Sequence, residues 1–263
     1  MKPRHDLHIH TTLSRCCSDP AQLLPNIIQR TRELGLTKIG IANHLWDSDV
    51  CICPNPWYRP QDFNNSYRVR TDLPAGDLGI KVLFGCETEF YTDTLALTPA
   101  HRKELDYALA PHSHIHMGAY VMPDSCVTDS QIGAFLCESF SKLVQRRMVN
   151  SIAHPLFPCG HEARLEGIIG SISDDRFAEL CCLANDCDTA LEINTGMFPG
   201  KLQNGADSEP MMRLFHIAKA CGCKFTFGTD AHSLTALDSI ALIDPITRAC
   251  GITENDLAEI ARD

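Results

Sequence analysis

Seven short apolar runs, each closing on a polar cluster, constrain this chain more than any other feature. They are Leu7 and Ile9; Ile39-Gly40-Ile41-Ala42; Ile80-Lys81-Val82-Leu83-Phe84-Gly85; Tyr107-Ala108-Leu109-Ala110; Ser151-Ile152-Ala153; Ala190-Leu191-Glu192-Ile193; and Lys224-Phe225-Thr226-Phe227-Gly228. Helical patterns lie between them. Leu23, Leu24, Ile27, Ile28 and Leu34 recur at helical spacing, with Ser18 or Asp19 before Pro20 as a start and Gly35 as a stop. Further helices are predicted at about 130–149, 175–185, 207–220, 235–243 and 253–262. Strands alternating with helices imply an α/β fold with a parallel sheet. Seven repeats in 263 residues predict one barrel domain over 1–263, closed or nearly so. The irregular stretch 45–79 holds Pro54, Pro56, Pro60 and Pro74 with Trp46, Trp57 and Tyr58. It reads either as a pocket wall or as a surface insertion.

Parallel barrels carry their chemistry on the loops after the strands. Here every run ends near a metal-capable residue: His8 and His10; His44; Glu87; His112, His114 and His116; His154; Glu192 and Asn194; Asp230 and His232. A lone histidine after a strand is usually structural, but seven such coincidences on one face are not expected by chance. His8 and His10 are two apart, so on a strand they share a face. Imidazole and carboxylate together suit zinc, manganese or iron better than calcium or magnesium. Glu87 is the natural bridge, and two metals about 3.5–4 Å apart would acidify a shared water and stabilise displacement at phosphorus.

These residues carry a resemblance. DLHIHTTLS around His8 and His10, IANH at His44, FGCETEF at Glu87, IAHP at His154 and GTDAH at Asp230 and His232 resemble the polymerase-and-histidinol-phosphatase (PHP) superfamily, in its order, from residue 6 to 232. The resemblance implies a distorted (β/α)7 barrel with a metal cleft at the C-terminal strand ends. It implies hydrolysis of a small phosphomonoester by a metal-bridging hydroxide in a di- or trinuclear site of zinc, manganese or iron. By the same carry-over, His8, His10, Glu87 and Asp230 hold one metal. Glu87, His114 and His154 hold a second, and His44 and His232 a third. Asp230, His232 or His154 handles the proton.

The sequence departs from the family pattern in one place. Where the family usually places a histidine or aspartate, this chain has Cys16 and Cys17, with Asp19 beyond. A thiolate is a sound ligand for zinc or iron, so Cys16 is a candidate for the third site. Among the fourth-run histidines the resemblance favours His114, with His112 and His116 expected in supporting roles. Arg164, Lys201 and Arg59 are candidates for binding the phosphate oxygens; solvated surface charge is the alternative for each. Glu192 and Asn194 are expected to support ligands, bind substrate or line the barrel.

Composition limits the partners. Lys and Arg number 23 against 33 Asp and Glu, a formal net charge of −10. That balance counts against extended nucleic acid and leaves a small phosphorylated substrate. No stretch approaches the ~20 apolar residues that span a bilayer. The charged start lacks an apolar signal core, so a cytoplasmic protein with reduced thiols is expected. Its 14 cysteines form no paired CxxC pattern. Two other readings stay open: an amidohydrolase-like metal hydrolase of C–N bonds, and a non-catalytic metal-binding regulatory module.

Overall fold

The computed structural model describes residues 1–262, apart from the side chains of Ala119 and Tyr120. In chain order the strands are β1 (His5–Ile9), β2 (Lys38–Ile41), β3 (His44–Leu45), β4 (Lys81–Phe84), β5 (Glu87–Thr88), β6 (Phe90–Tyr91), β7 (Thr94–Leu95), β8 (Leu109–Ala110), β9 (Ser151–Ile152), β10 (Ala190–Asn194) and β11 (Phe225–Gly228). The α-helices are α1 (Leu24–Glu33), α2 (Phe63–Tyr67), α3 (Pro99–Glu104), α4 (Asp129–Val144), α5 (Leu165–Gly170), α6 (Asp174–Asp186), α7 (Met212–Ala220) and α8 (Ile243–Cys250).

Two parallel sheets organise the molecule, in the orders β1-β2-β4 and β11-β10-β9-β8-β5-β3, and β6-β7 is a small antiparallel hairpin. The sheets adjoin at both ends. β2 runs on into β3, and β4 into β5, with Glu87 N–H donating to the Asn43 carbonyl across the break. On the other side, Ile9 bridges Ala231, and Asp230 N–H donates to the His8 carbonyl at 2.8 Å. Both faces of β1, β9, β10 and β11 are buried, and in them apolar residues alternate with buried polar ones, Asp6, His8, Ser151, Glu192, Asn194 and Thr226. Leu7, Ile9, Ile39, Ile41, Leu109, Ile152, Leu191, Ile193, Phe225 and Phe227 are all buried.

The helix boundaries differ from the periodic reading for local reasons. The first helix begins at Leu24 with a proline in its first turn, because the segment at Pro20 folds as a turn instead. The pattern at 130–149 stops being helical after Val144, where Arg147 adopts φ 53°. At 207–220 the helix starts only at Met212. Leu234–Leu242 is a 3₁₀ helix, and the segment predicted at 253–262 breaks into two short 3₁₀ turns. Between them, α8 closes on Gly251 in the left-handed region.

The second and third runs each split in two. β1 pairs with β2 at His5–Lys38 and Asp6–Ile39, then resumes at Ile9–Ile41, so β1 spends one extra residue. Such a bulge bends the strand and re-aims side chains. The Asn43 carboxamide oxygen holds the bend by accepting from Thr11 N–H at 2.8 Å and from the Ser14 hydroxyl at 3.0 Å.

Candidate metal centre

The side chains after β1, β3, β5, β8, β9 and β11 converge on one cleft of about 380 Å³. The shared element is Glu87, fully buried on β5. Its Oε2 lies 2.8 Å from His44 Nδ1 and 3.5 Å from Nε2 of both His8 and His10. Its Oε1 lies 3.1 Å from His154 Nε2 and 3.6 Å from His114 Nε2. Asp230 Oδ1 approaches His10 Nε2 at 3.0 Å and His8 Nε2 at 3.5 Å.

Three groups of potential ligand atoms form around this carboxylate, each with its members within 4.8 Å of one another. They are His8, His10, Glu87 and Asp230; His114, His154 and Cys159; and His10, His44 and His232. Cys16 stands beside the third, its Sγ 3.0 Å from His232 Nε2 and in contact with the His44 ring. A fourth group, Asp47, Asp49 and His101, lies outside the cleft and is an internal strut. Its Asp47 carboxylate accepts from Thr98 N–H at 2.8 Å and faces His101 Nδ1 at 2.7 Å.

Charge in the cleft is arranged for cations. Burial opposes ionisation of Glu87, but His44, His8 and His114 outweigh it and hold its carboxyl well below the usual range. Burial likewise opposes ionisation of Glu89, yet His114 and His44 bring it down to about 2. Asp230 is lowered too, with His8 and His10 overcoming its burial. Burial raises the Cys16 thiol, but His44 and His232 bring it down to about 6. Conversely, the carboxylates hold His8 well above an ordinary imidazole against its burial.

The donor set fits divalent transition metals. Glu87 Oε2 and His44 Nδ1 are buried and 2.8 Å apart, yet neither makes a hydrogen bond among the described residues. Buried polar atoms are normally satisfied. Two ligand atoms facing one point, rather than each other, explain this pair. The outer rim of the set is satisfied. Glu192 accepts from His8 Nδ1 at 2.8 Å and, through its other oxygen, from His154 N–H at 2.8 Å. Ser14 holds His10 Nδ1 at 2.9 Å, Ser113 holds His154 Nδ1 at 2.8 Å, and Glu89 holds His114 Nδ1 at 2.8 Å. Fixing one ring nitrogen this way turns the other toward the cleft. His154 and Asp230 both sit at positive φ, 30° and 56°, strain that these contacts must support.

The remaining residues singled out in the sequence divide clearly. His112 Nε2 accepts from Leu156 N–H at 2.9 Å and packs edge-on against Phe140, away from the cleft lining. His116 lines the cleft, as do Trp46, Trp57 and Tyr58 from the irregular stretch after β3. Cys17 turns its thiol to the His232 carbonyl at 3.1 Å, and Asp19 accepts from Leu234 N–H at 3.1 Å. None of the three cations is brought into the cleft lining. Arg164 is spent on Asp129 at 2.6 Å, Arg59 donates to the Cys53 carbonyl at 2.7 Å, and Lys201 is exposed on the turn after the short 3₁₀ helix Thr195–Met197. Asn194 donates to Glu192 at 3.0 Å.

Among the cleft residues that escaped the sequence reading, Glu89 and Cys159 stand nearest the histidines. Glu89 follows Glu87 at the same two-residue spacing that marks His8 and His10, so strand alternation was a usable signal. Cys159 reaches His154 Nδ1 at 3.7 Å only because the loop after β9 doubles back through Leu156 at φ 61°. No spacing rule announces that turn.

The architecture is thus a mixed α/β fold with parallel sheets and a histidine- and carboxylate-lined cleft at the strand ends. Among solved structures, it is similar to histidinol phosphate phosphatase from Lactococcus lactis subsp. lactis Il1403, solved in complex with zinc, L-histidinol and phosphate. The alignment covers 95% of this chain and 94% of that one, at 17% identity and a TM-score of 0.61. A second structure, of an uncharacterized protein, aligns over 95% of this chain and 75% of its own at 12% identity, with a TM-score of 0.40. The first likeness shows a shared fold. No family model and no curated protein sequence matches the chain.

Proposed function

We propose that this chain is a metal-dependent phosphomonoester hydrolase of the PHP superfamily, built as a distorted (β/α)7 barrel of one domain. The observation that carries the reading is Glu87. One buried carboxylate faces five imidazoles, with its two oxygens serving different histidines. The solved structure of similar fold, a phosphatase with zinc and phosphate, supports the same reading.

His8, His10, Glu87 and Asp230 would hold one metal. Glu87, His114 and His154 would hold a second, with Cys159 beside them. His44 and His232, with Cys16, would hold a third. Bound zinc, manganese or iron would supply Lewis acidity toward the phosphoryl oxygens and an acidified water as nucleophile. The chain's own residues do the rest. Asp230, partly exposed at the cleft mouth, is placed to hold the proton of an attacking water, with His232 and His154 as the other candidates. Trp46, Trp57 and Tyr58 wall the cleft and exclude water from one side. With no Arg or Lys among the described residues that line the cleft, the charge of a phosphate would fall to the metal sites. This arrangement suits a small phosphorylated substrate rather than a polyanion.

Replacing Glu87 tests the reading. Glu87→Ala should lower bound metal by at least one equivalent and abolish turnover of p-nitrophenyl phosphate together. Full metal content with full turnover in that variant would sink the assignment. Hydrolysis of cyclic amides but not of phosphate esters by the wild type would favour an amidohydrolase instead.

A further inference from the structure

Away from the cleft, four cysteines meet where α6 packs against the turn between α7 and β11. Cys181 and Cys182 are adjacent on α6, and Cys221 and Cys223 flank Gly222. Gly222 takes φ 79°, and Cys223 N–H reaches back to the Ala218 carbonyl at 3.0 Å, closing the end of α7 in a Schellman-type turn. That turn is tied to α6 from both sides. Asn185 Nδ2 donates to the Cys221 carbonyl at 2.8 Å, and the Cys223 thiol to the Cys181 carbonyl at 3.5 Å. Cys182 lies three residues before Asn185 on the same face of α6, which sets it beside Cys221.

Burial divides these four thiols into two pairs. Cys181 and Cys223 are sealed in the core at 1% and 0% exposure. Cys182 is exposed and Cys221 half-buried, and all four are free thiols. The neighbouring Cys223 and burial push the Cys181 thiol far up, so Cys181 holds little thiolate. A reagent from solvent meets Cys182 first, and the half-buried Cys221 is the thiol that the Asn185 contact holds beside α6.

We propose that Cys182 and Cys221 form a reversible modification site that takes a disulfide from a low-molecular-weight disulfide. The exchange balances. The Cys182 sulfur attacks one sulfur of the small disulfide, expelling a thiolate that takes up the Cys182 proton and leaving a mixed disulfide. Cys221 then attacks the Cys182 sulfur, and the second small thiol departs with the Cys221 proton. Two protein thiols are oxidised and one small disulfide is reduced to two thiols. The product staples α6 to the turn that leads into β11.

The test uses the full chain with its metals retained and oxidised glutathione as the probe. After alkylation and proteolysis, peptide mass mapping should find Cys182 linked to Cys221, with dithiothreitol reversing the link. Closing a loop of about 40 residues should raise Tm by roughly 5 °C or more. Cys182→Ser should react at neither position, whereas Cys221→Ser should stop at a glutathione adduct on Cys182. A glutathione adduct without a cross-link in the unaltered chain, or a cross-link mapping to other cysteines, would overturn the proposal. Neither readout depends on phosphatase turnover.

Discussion

At Glu192 one buried carboxylate supports two of the histidines proposed as ligands: Oε1 on His8 Nδ1 and Oε2 on His154 N–H. An anion there keeps the His8 proton on Nδ1 and leaves Nε2 to face the cleft. A carboxamide of the same shape can no longer do both. Glu192→Gln should therefore lower metal affinity roughly 10–100-fold while the far-ultraviolet circular dichroism stays unchanged. Competition with a chromophoric chelator measures this, and unaltered affinity would show that Glu192 only lines the fold. Gly228 guards the same pair. A Cβ there would lie 2.1 Å from Glu192 Oε1 and 2.6 Å from His8 Cβ. Gly228→Ala should cost about 1–3 kcal/mol in urea unfolding and weaken metal binding with it. Stability and affinity both at the wild-type level would contradict that crowding.

Elements set where the cleft wall stands. The stretch after β3 is anchored by Asp47, which faces His101 of α3 and accepts from Thr98 N–H. Its burial opposes ionisation, but those partners win and hold its carboxyl below the usual range. The sign follows from the lowered folded value. Asp47 adds stability above the unfolded pKa near 4, and that contribution is lost as pH falls through the lower folded one. Asp47→Asn should cost about 1–3 kcal/mol at pH 7. Against the wild type, the difference should shrink as pH is lowered below the ordinary carboxylate range. Urea titrations at neutral and acid pH compare the two, and a pH-independent difference would mean packing rather than charge.

The whole molecule shows how far the sequence could be read. The convergence of strand-end side chains was legible because alternation puts His8 with His10 on one face, and because the seven runs recur in a fixed order. The mixed α/β architecture follows from the same rhythm. Element ends were less legible, since Leu23 opens α1 without a side-chain cap and the apolar pattern at 235–243 suits 3₁₀ as well as α. For the cations the sequence left two readings, cleft cation or surface charge, because a partner such as Asp129 on α4, which pairs with Arg164, is set only in three dimensions. Among the described residues, no helix is long and apolar enough to cross a membrane.

In the proposed function, ligands packed in one buried cleft would couple metal binding to global stability. Removing metal from the loaded protein should lower Tm, because ligands that bind only the folded state stabilise it by mass action. A calorimetric scan with and without chelator reads that shift, and coincident transitions would contradict it. The most direct measurement follows bound metal and phosphomonoester turnover in one titration. The protein is stripped with a chelator, zinc or manganese is returned in steps, and p-nitrophenyl phosphate hydrolysis is assayed at each. The account predicts at least two equivalents bound per chain, with turnover absent in the stripped protein and rising as the second equivalent binds. Turnover that survives complete stripping, or two bound equivalents with no phosphoester hydrolysed across a panel of small substrates, would contradict it.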